Sequence, residues 1–274
     1  MHRSTLLSYV VLLSPALCVA AEAGATAGGL SAAQIVEKNI AARGGLAAWH
    51  NLRSMTWTGQ LEAGGNNRPT LAIPSEARKV SLPAARPQQQ MELPFRMELE
   101  RSRKSRLEIQ FGGQTALQVY DGTQGWKVRP FLNRHQVEPY TQEELKLAAA
   151  QSDIDGPLVD YANKGSTISL DGREAVEGRD CYKLTVTSRD KHVQHIWIDS
   201  KSFLEAKEEG QPRRLDGRYH PVAVYLRDYT SVSGLTLPTM FETVVEGAKS
   251  TEKIHVEKIL VNASIPDSHF GKPQ

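Results

Sequence analysis

The sequence predicts an α+β protein built on one large antiparallel sheet, with helices on one face of the sheet or across one mouth. Segments with alternating apolar side chains follow one another from about residue 91 to residue 262, a pattern typical of strands with one apolar face. Turn-forming pairs such as Asp171-Gly172 and Ser233-Gly234 separate these segments at short intervals, which indicates a meander of hairpins. Helix-capping patterns near residues 31 and 141 precede and interrupt the series.

The first 20 residues have the form of a secretory signal peptide. Arg3 gives a basic start, an apolar run begins at Leu6, and small residues follow, so cleavage is expected after Ala20 or as late as Ala23. This run is shorter than the ~20 apolar residues of a transmembrane helix, and no later run is longer. We therefore expect an exported chain without a transmembrane segment, in which residues 21–30, rich in glycine and alanine, form a flexible N-terminus.

The two cysteines bear on how the chain is processed and stabilised. Cys18 raises the alternative of a lipoprotein signal, but the residue before an acylated cysteine is normally very small, and here it is Leu17. Cleavage without acylation leaves Cys181 alone in the mature chain, which excludes an internal disulfide. We expect this cysteine to be a small packed residue.

The net charge is small. The chain carries +2, and loss of a leader that contains Arg3 and no acidic residue leaves +1. This balance argues against a nucleic-acid-binding protein that depends on many phosphate contacts. A solvated strand face and turn is expected for the densest basic cluster, although a rim for acidic headgroups or an acidic partner is the alternative. The cluster consists of Arg96, Arg101, Arg103, Lys104 and Arg106.

The domain is expected to begin with a helix. Ser31-Ala-Ala-Gln34 has the pattern of a capping box, and Gly44-Gly45 supplies residues that accept the left-handed conformation at a helix end. A short turn over residues 46–52 then leads to a first strand from Met55 to Glu62. Residues 63–90 are polar, contain several prolines and have weak periodicity, which predicts a long loop or an inserted hairpin.

From Met91 onward the sequence is strongly β. A second capping box, Thr141-Gln-Glu-Glu144, predicts a helix within the meander, and Asp155-Gly156-Pro157 is expected to open a shorter helix that ends near Gly165. The strand His195 to Ile198 carries apolar residues on both faces, so either helices cover the second face or this face lines a cavity. Strands are predicted around residues 105–111, 117–119, 182–186, 193–198, 222–226, 235–241 and 252–262.

The sequence offers no clear catalytic or metal site. It contains no Gly-x-Ser-x-Gly elbow, no His-Glu-x-x-His helix and no phosphate-binding glycine loop. His192 and His195 lie three apart in a predicted strand, which points them to opposite faces. The stretch VYDGTQGWKVRP places Asp121 between aromatic and glycine residues, and we interpret Asp121-Gly122 as a hairpin turn rather than an active-site loop.

Five segments, taken in order, resemble the LolA-like superfamily, the outer-membrane lipoprotein-sorting proteins and their relatives. The resemblance implies a half-open antiparallel barrel over residues 31–274, with helices that cover a hydrophobic cavity. It also makes residues 63–90 an inserted loop, because the best-known carriers of this superfamily are shorter. The segments are Ile35–Gly59, Val119–Trp126 with Pro130, Ser152–Gly165, Gly234–Pro238 and the terminus VNASIPDSHFGKP.

The resemblance also implies a function without catalysis. The protein is expected to be a periplasmic carrier or chaperone that binds lipoprotein acyl chains or other lipid, without a cofactor. A sensor module that binds a lipid or lipoprotein and signals through an envelope protein partner is the alternative, and an enzyme with scattered catalytic residues is the third. The candidate cavity-lining residues are Trp57, Leu107, Ile109, Phe111, Leu117, Val119, Trp126, Leu184, Val186, Val193, Trp197, Val224 and Phe241.

Overall fold

The computed structural model describes residues 29–64, 90–130, 133–215 and 217–274. The predicted signal peptide, nearly all of the predicted flexible N-terminus and nearly all of the predicted inserted loop lie outside these ranges. No helix in the described part of the chain is long and apolar enough to cross a membrane.

The described residues form 13 strands, three α-helices and a C-terminal 3₁₀ helix, Asp267–Phe270. The α-helices are α1 (Ala32–Ala42), α2 (Leu46–Asn51) and α3 (Gln142–Gln151). The first six strands are β1 (Ser54–Gly64), β2 (Gln90–Glu100), β3 (Lys104–Phe111), β4 (Gln114–Tyr120), β5 (Gly125–Arg129) and β6 (Arg134–Pro139). The other seven are β7 (Thr167–Val176), β8 (Arg179–Thr187), β9 (Val193–Asp199), β10 (Glu205–Leu215), β11 (Arg218–Val232), β12 (Leu235–Val245) and β13 (Glu252–Val261).

All 13 strands belong to one sheet, in the order β6-β5-β4-β3-β2-β1-β13-β12-β11-β10-β9-β8-β7. The chain thus forms two antiparallel meanders, which are joined where β1 pairs with β13. Strands β6 and β7 form the two edges, so the sheet is not closed. The predicted antiparallel sheet with few helices is confirmed.

The sheet curves towards the face that carries the helices. The rings of Trp57 in β1 and Phe241 in β12 stack with centroids 5.7 Å apart, although β13 lies between their strands. Phe241 pairs with Ile254 of β13, and Ile254 pairs with Leu61 of β1. Phe241 therefore lies level with Leu61, which is four residues beyond Trp57 along β1. In a flat sheet the two positions would lie about 16 Å apart, so strong curvature brings their side chains together.

The two faces of the sheet carry different elements. On the helix face, Met55 and Leu235 pack with Trp49 of α2, and residues of β8 and β9 pack with α1. The back face carries the 3₁₀ helix, where His269 Nδ1 lies 2.9 Å from Glu98 Oε2 and the His269 carbonyl accepts a hydrogen bond from Arg106. Cross-strand pairing assigns each strand residue to one of these faces.

Local signals for the first and third helices are confirmed. The Ser31 side chain accepts the Gln34 N–H and the Gln34 side chain accepts the Ser31 N–H, and Thr141 and Glu144 repeat this arrangement at α3. Both boxes satisfy N–H groups that the first helical turn leaves free. Gly44 follows α1 with φ of 112°, and a Cβ at this position would lie 2.1 Å from the Gly234 carbonyl oxygen.

Two sequence predictions about the connections are wrong. The predicted turn over residues 46–52 contains the short helix α2, whose Trp49 is buried. Conversely, the segment expected to open a helix at Asp155 forms successive turns. Positive φ angles at Gly156 and Asp160, 70° and 52°, are incompatible with a continuous right-handed helix.

Arg101 holds these two segments to the end of β2. Its guanidinium makes bonds of 2.7 and 2.9 Å to the Asp155 carboxylate and also donates to the carbonyls of Trp49 and Leu52. One side chain thereby binds two carbonyl groups at the end of α2, where the Trp49 carbonyl also accepts the Leu52 N–H.

Candidate functional site

The helix face has two buried apolar clusters. One contains Trp49 and Leu52 of the α2 region with Met55 and Leu99 of the sheet. The other joins Ile35 and Val36 of α1 to β8 and β9. Each has the dense packing of a core, so neither offers a surface for a ligand.

The central strands between these clusters and α3 present half-buried apolar side chains beside buried ones such as Leu93 and Phe95. They lie on neighbouring strands, as the pairs Met97–Leu107 and Phe241–Ile254 show. The buried Nε1 of Trp57 has no hydrogen-bond partner in the described part of the chain. We call this set the central strip: Trp57, Leu61, Met97, Leu107, Ile109, Phe241 and Ile254.

The described helices are too few to cover the helix face. Thirteen strands have twelve spacings, which at about 4.8 Å each give about 58 Å across the sheet. Three helices of about 10–12 Å diameter cover at most about 36 Å of this width. About a third of the helix face thus has no described helix over it.

A cavity of about 210 Å³ lies between α3 and the sheet. Its apolar walls include Met97 and Leu107 of the central strip and Leu147 of α3. Lys127 projects into the same space, where its ammonium group pairs with the Glu144 carboxylate. The cavity therefore extends the central strip beneath α3, with a cation at one side.

A glutamate interrupts the apolar helix face near α1. Glu208 pairs across the sheet with Val224 and Ile196, both on this face. Burial and, after it, the negative charge of the neighbouring Glu205 carboxylate raise the pKa of Glu208, and Arg43 opposes the increase, so that the pKa is about 7. Glu208 is thus poised to change charge near neutral pH.

Glu205 belongs to the same polar group. Its carboxylate lies 2.8 Å from the Arg43 guanidinium, and the Tyr229 hydroxyl donates to its backbone carbonyl at 2.9 Å. Burial, followed by the negative charge of Glu205, raises the pKa of the Tyr229 hydroxyl. Glu205 is thus held by an ion pair and by hydrogen bonds. Glu208, beside the apolar surface, is the neighbouring carboxyl whose charge changes near neutral pH.

The described residues of the helix face offer few nucleophilic groups. Cys181 is fully buried on the other face, and burial raises the pKa of its thiol. Burial likewise raises the pKa of Tyr140 beside α3 to about 12. No group of three or more histidine, cysteine, aspartate or glutamate side chains among the described residues is arranged to hold a metal ion.

Asp121 is a turn residue, as the sequence predicts. Its Oδ1 accepts the backbone N–H groups of Thr123 and Gln124 at 2.7 and 2.6 Å, and Gly122 has φ of 100°. These features define the corner of the β4–β5 hairpin.

The 13 predicted cavity residues divide between the two faces, so they do not form one surface. Eight lie on the helix face: Trp57, Leu107, Ile109, Phe111, Leu184, Val186, Val224 and Phe241. Five lie on the back face: Leu117, Val119, Trp126, Val193 and Trp197. Of the eight, Leu184 and Val186 belong to the buried cluster under α1, and the others are half-buried.

Sequence reasoning missed Glu208 and its neighbours. The stretch Glu205-Ala-Lys-Glu-Glu209 reads as ordinary polar sequence, and a register shift between Glu205 and Lys207 breaks its alternation. Arg43, which pairs with Glu205, lies 162 residues before it in the chain. No pattern within residues 205–209 indicates the register shift or the distant arginine partner.

The architecture matches solved structures over most of the chain. A LolA superfamily protein from Nitrosomonas europaea has a TM-score of 0.53 and 14% identity, with 89% of this chain and 99% of that chain covered. The chain has the LolA-like fold. A protein described as an outer membrane lipoprotein-sorting domain from Vibrio parahaemolyticus shares this LolA-like fold, with a TM-score of 0.53, 12% identity and coverage of 88% and 96%.

A third structure with the LolA-like fold is a DUF1329 family protein from Desulfovibrio piger. It has a TM-score of 0.52 and 13% identity, with 86% of this chain and 95% of that chain covered. No protein-family model matches the chain, and no curated protein matches it in sequence. The likeness is therefore one of fold.

Proposed function

We propose that the protein is a periplasmic carrier that holds lipoprotein acyl chains or other lipid against the helix face, without catalysis. The observation that carries the proposal is the central strip, a contiguous apolar surface on five neighbouring strands whose members are only half-buried. Contiguous apolar surface left accessible in this way marks a binding site more often than a defect of packing.

The physical chemistry of the strip suits an acyl chain. Removing each CH₂ group from water contributes about 0.8 kcal/mol, so a chain can be held firmly by area alone. The side chains of the strip offer few directional contacts, and such a surface accepts chains that differ in length. The cavity beneath α3 gives the chain a continuation between helix and sheet.

Two further observations support the setting and the absence of catalysis in this proposal. Residues 1–20 have the pattern of an export signal, which supports a periplasmic location. Among the residues that the structure describes, the helix face presents mainly apolar side chains and the Glu208 carboxyl, rather than the converging nucleophile, base and anion-binding groups that an enzyme needs.

The test compares two half-buried leucines on adjacent strands that point to opposite faces. Leu107 of β3 belongs to the central strip, whereas Leu117 of β4 lies on the back face. We expect Leu107→Gln to weaken binding of a fluorescent fatty-acyl probe by on the order of tenfold, because the chain would then bury an unpaired amide. Leu117→Gln is expected to bind the probe like the wild type.

Melting curves of both variants check that each is folded. Because both leucines are half-buried, we expect both variants to unfold cooperatively. Equal loss of binding in the two variants would show that stability, rather than the strip, controls the signal. Absence of wild-type binding at micromolar probe would refute the carrier function.

A further inference from the structure

A second pocket lies at the end of the sheet, outside the central strip. It has a volume of about 320 Å³ and opens beside the β2–β3 turn, within the range of small-molecule sites, about 300–1,000 Å³. Its lining is dominated by charged and hydroxyl side chains and consists of Arg101, Ser102, Arg103, Ser152, Asp153, Ile154 and Lys164. We call it the turn pocket.

Most of the basic cluster identified in the sequence is neutralised by close carboxylates. Arg96 and Arg106 pair with the glutamates two residues further on, at 2.6 and 2.7 Å. Lys104 pairs with Glu100 at 2.9 Å, and Arg101 is held by Asp155. These four residues are held in ion pairs, and the side chains of Lys104 and Arg106 are only 25% and 17% exposed, so neither a solvated face nor a free binding rim describes them all.

Arg103 is the exception. Its side chain is 53% exposed, and its contact with a carboxylate is the long one to Asp153, 3.8 Å. Asp153 is shared, because its carboxylate lies only 2.8 Å from Lys164. The three cations of the turn pocket thus face two nearby carboxylates, Asp153 within it and Asp155 behind Arg101, which leaves an excess positive charge at the guanidinium of Arg103.

Packing holds the backbone of the turn that carries Arg103. Ser102 and Arg103 have φ angles of 71° and 62°, a conformation that is costly for residues other than glycine. The β4–β5 hairpin packs against the turn at Gly122, where a Cβ would lie 2.7 Å from the Ser102 carbonyl oxygen. This contact holds the tip of the β2–β3 hairpin against its neighbour.

The turn pocket adjoins the cavity beneath α3. Ser152 lines both, and its hydroxyl donates to the Ser105 hydroxyl at 2.6 Å. Ile154, which also belongs to the apolar cluster around Trp49, forms a wall of the turn pocket. The turn pocket and the cavity that extends the central strip are therefore neighbours that share a wall at Ser152.

We propose that the turn pocket binds the phosphate group of an anionic lipid whose acyl chain lies on the helix face, an assignment that rests on the carrier function proposed above. The planar guanidinium of Arg103 suits paired bonds to phosphate oxygens, Lys164 supplies a second cation, and Ser102 supplies a hydroxyl. Asp153 competes with the ligand for both cations and so limits the affinity.

The experiment uses two fluorescent lipids with identical acyl chains, a phosphatidic acid and the corresponding diacylglycerol, which differ in the phosphate. We expect the wild-type protein to prefer phosphatidic acid by on the order of tenfold, because charge-assisted bonds to phosphate are stronger than neutral ones. Arg103→Gln should remove most of this preference and leave diacylglycerol binding unchanged.

Two further variants test the assignment. Arg134→Gln is a matched control, because Arg134 is 54% exposed and also has a carboxylate, Glu138, at 3.8 Å, and it should bind both lipids like the wild type. Asp153→Asn should increase the preference for phosphatidic acid several-fold by removing the competing charge. An unchanged or weakened preference in Asp153→Asn would contradict the proposed competition.

The outcomes separate the two proposals. If both lipids bind equally while Leu107→Gln still weakens the acyl probe, the phosphate site is wrong and the carrier function stands. If neither lipid binds, both fail. Titration with inorganic phosphate tests whether the pocket binds a free anion or a lipid headgroup. If phosphate alone binds in an Arg103-dependent way and the two lipids bind equally, the pocket is a free-anion site and the lipid-headgroup proposal is wrong.

Discussion

Replacement of Glu208 by glutamine should stabilise the protein above neutral pH and have little effect in acid. The carboxyl lies on the apolar helix face with a pKa of about 7, against an ordinary value of 4.5. The folded protein therefore binds a proton more tightly than the unfolded chain does. Between about pH 4.5 and pH 7 unfolding releases that proton, so the free energy of unfolding falls as the pH rises through this window.

The size of the effect follows from the same two values. At about 1.36 kcal/mol per pKa unit, the difference between about 7 and 4.5 sets an upper limit of about 3 kcal/mol. Part of the side chain is accessible and screened by water, so we expect about 1–3 kcal/mol. For a chain of this size that corresponds to an increase of about 2–10 °C in the melting temperature of Glu208→Gln at pH 8.

Thermal unfolding of the wild type and Glu208→Gln at pH 5 and pH 8 measures this difference. The exposed Glu257 of β13 provides the control, and Glu257→Gln should follow the wild type at both values. A Glu208→Gln protein that melts lower than the wild type at pH 8, or that gains equally at both pH values, would refute the argument that an ionised carboxylate is disfavoured at this position.

The turn and back-face residues give two further predictions. Gly122→Val should lower the free energy of unfolding by at least about 2 kcal/mol, since the residue has positive φ and its Cβ would meet the Ser102 carbonyl. Asp121→Asn should change the free energy of unfolding by less than about 0.5 kcal/mol, because the amide oxygen still accepts both turn N–H groups. Chemical denaturation of both variants checks this, and equal losses would contradict it. Trp197→Gln should cost about 3 kcal/mol, because Trp197 is 5% exposed and the Lys207 ammonium lies 3.6 Å from its ring centroid; an unchanged melting temperature would show that this back-face cluster is not a core.

Trp197 is a residue whose position on one face of the sheet could not be predicted from the sequence. Alternation along His195–Ile198 predicts a strand with apolar residues on both faces, which is what β9 has. From that pattern Trp197 and Leu107 were equally good cavity candidates. In the structure Trp197 packs with Cys181 on the back face, whereas Leu107 lies on the helix face beside the cavity.

Long-range partners were likewise beyond the sequence. Arg101 and Asp155 are 54 residues apart, and Arg43 and Glu205 are 162 apart. Each pair depends on how separate elements pack, and a register shift such as that between Glu205 and Lys207 changes which side chains share a face. For this reason the polar group around Glu208 has no signature in its own segment.

The sequence by itself determined the local features of this protein: the two capping boxes, the glycine pair after α1, the Asp121-Gly122 corner and the meander of alternating strands. Each of these depends on residues within a few positions of one another, whose backbone preferences and hydrogen bonds act locally. Only the tertiary structure decided which face of each strand meets the helices. Alternation defines two faces without naming the covered one, and that choice depends on strand pairing and on helices that approach from distant parts of the chain.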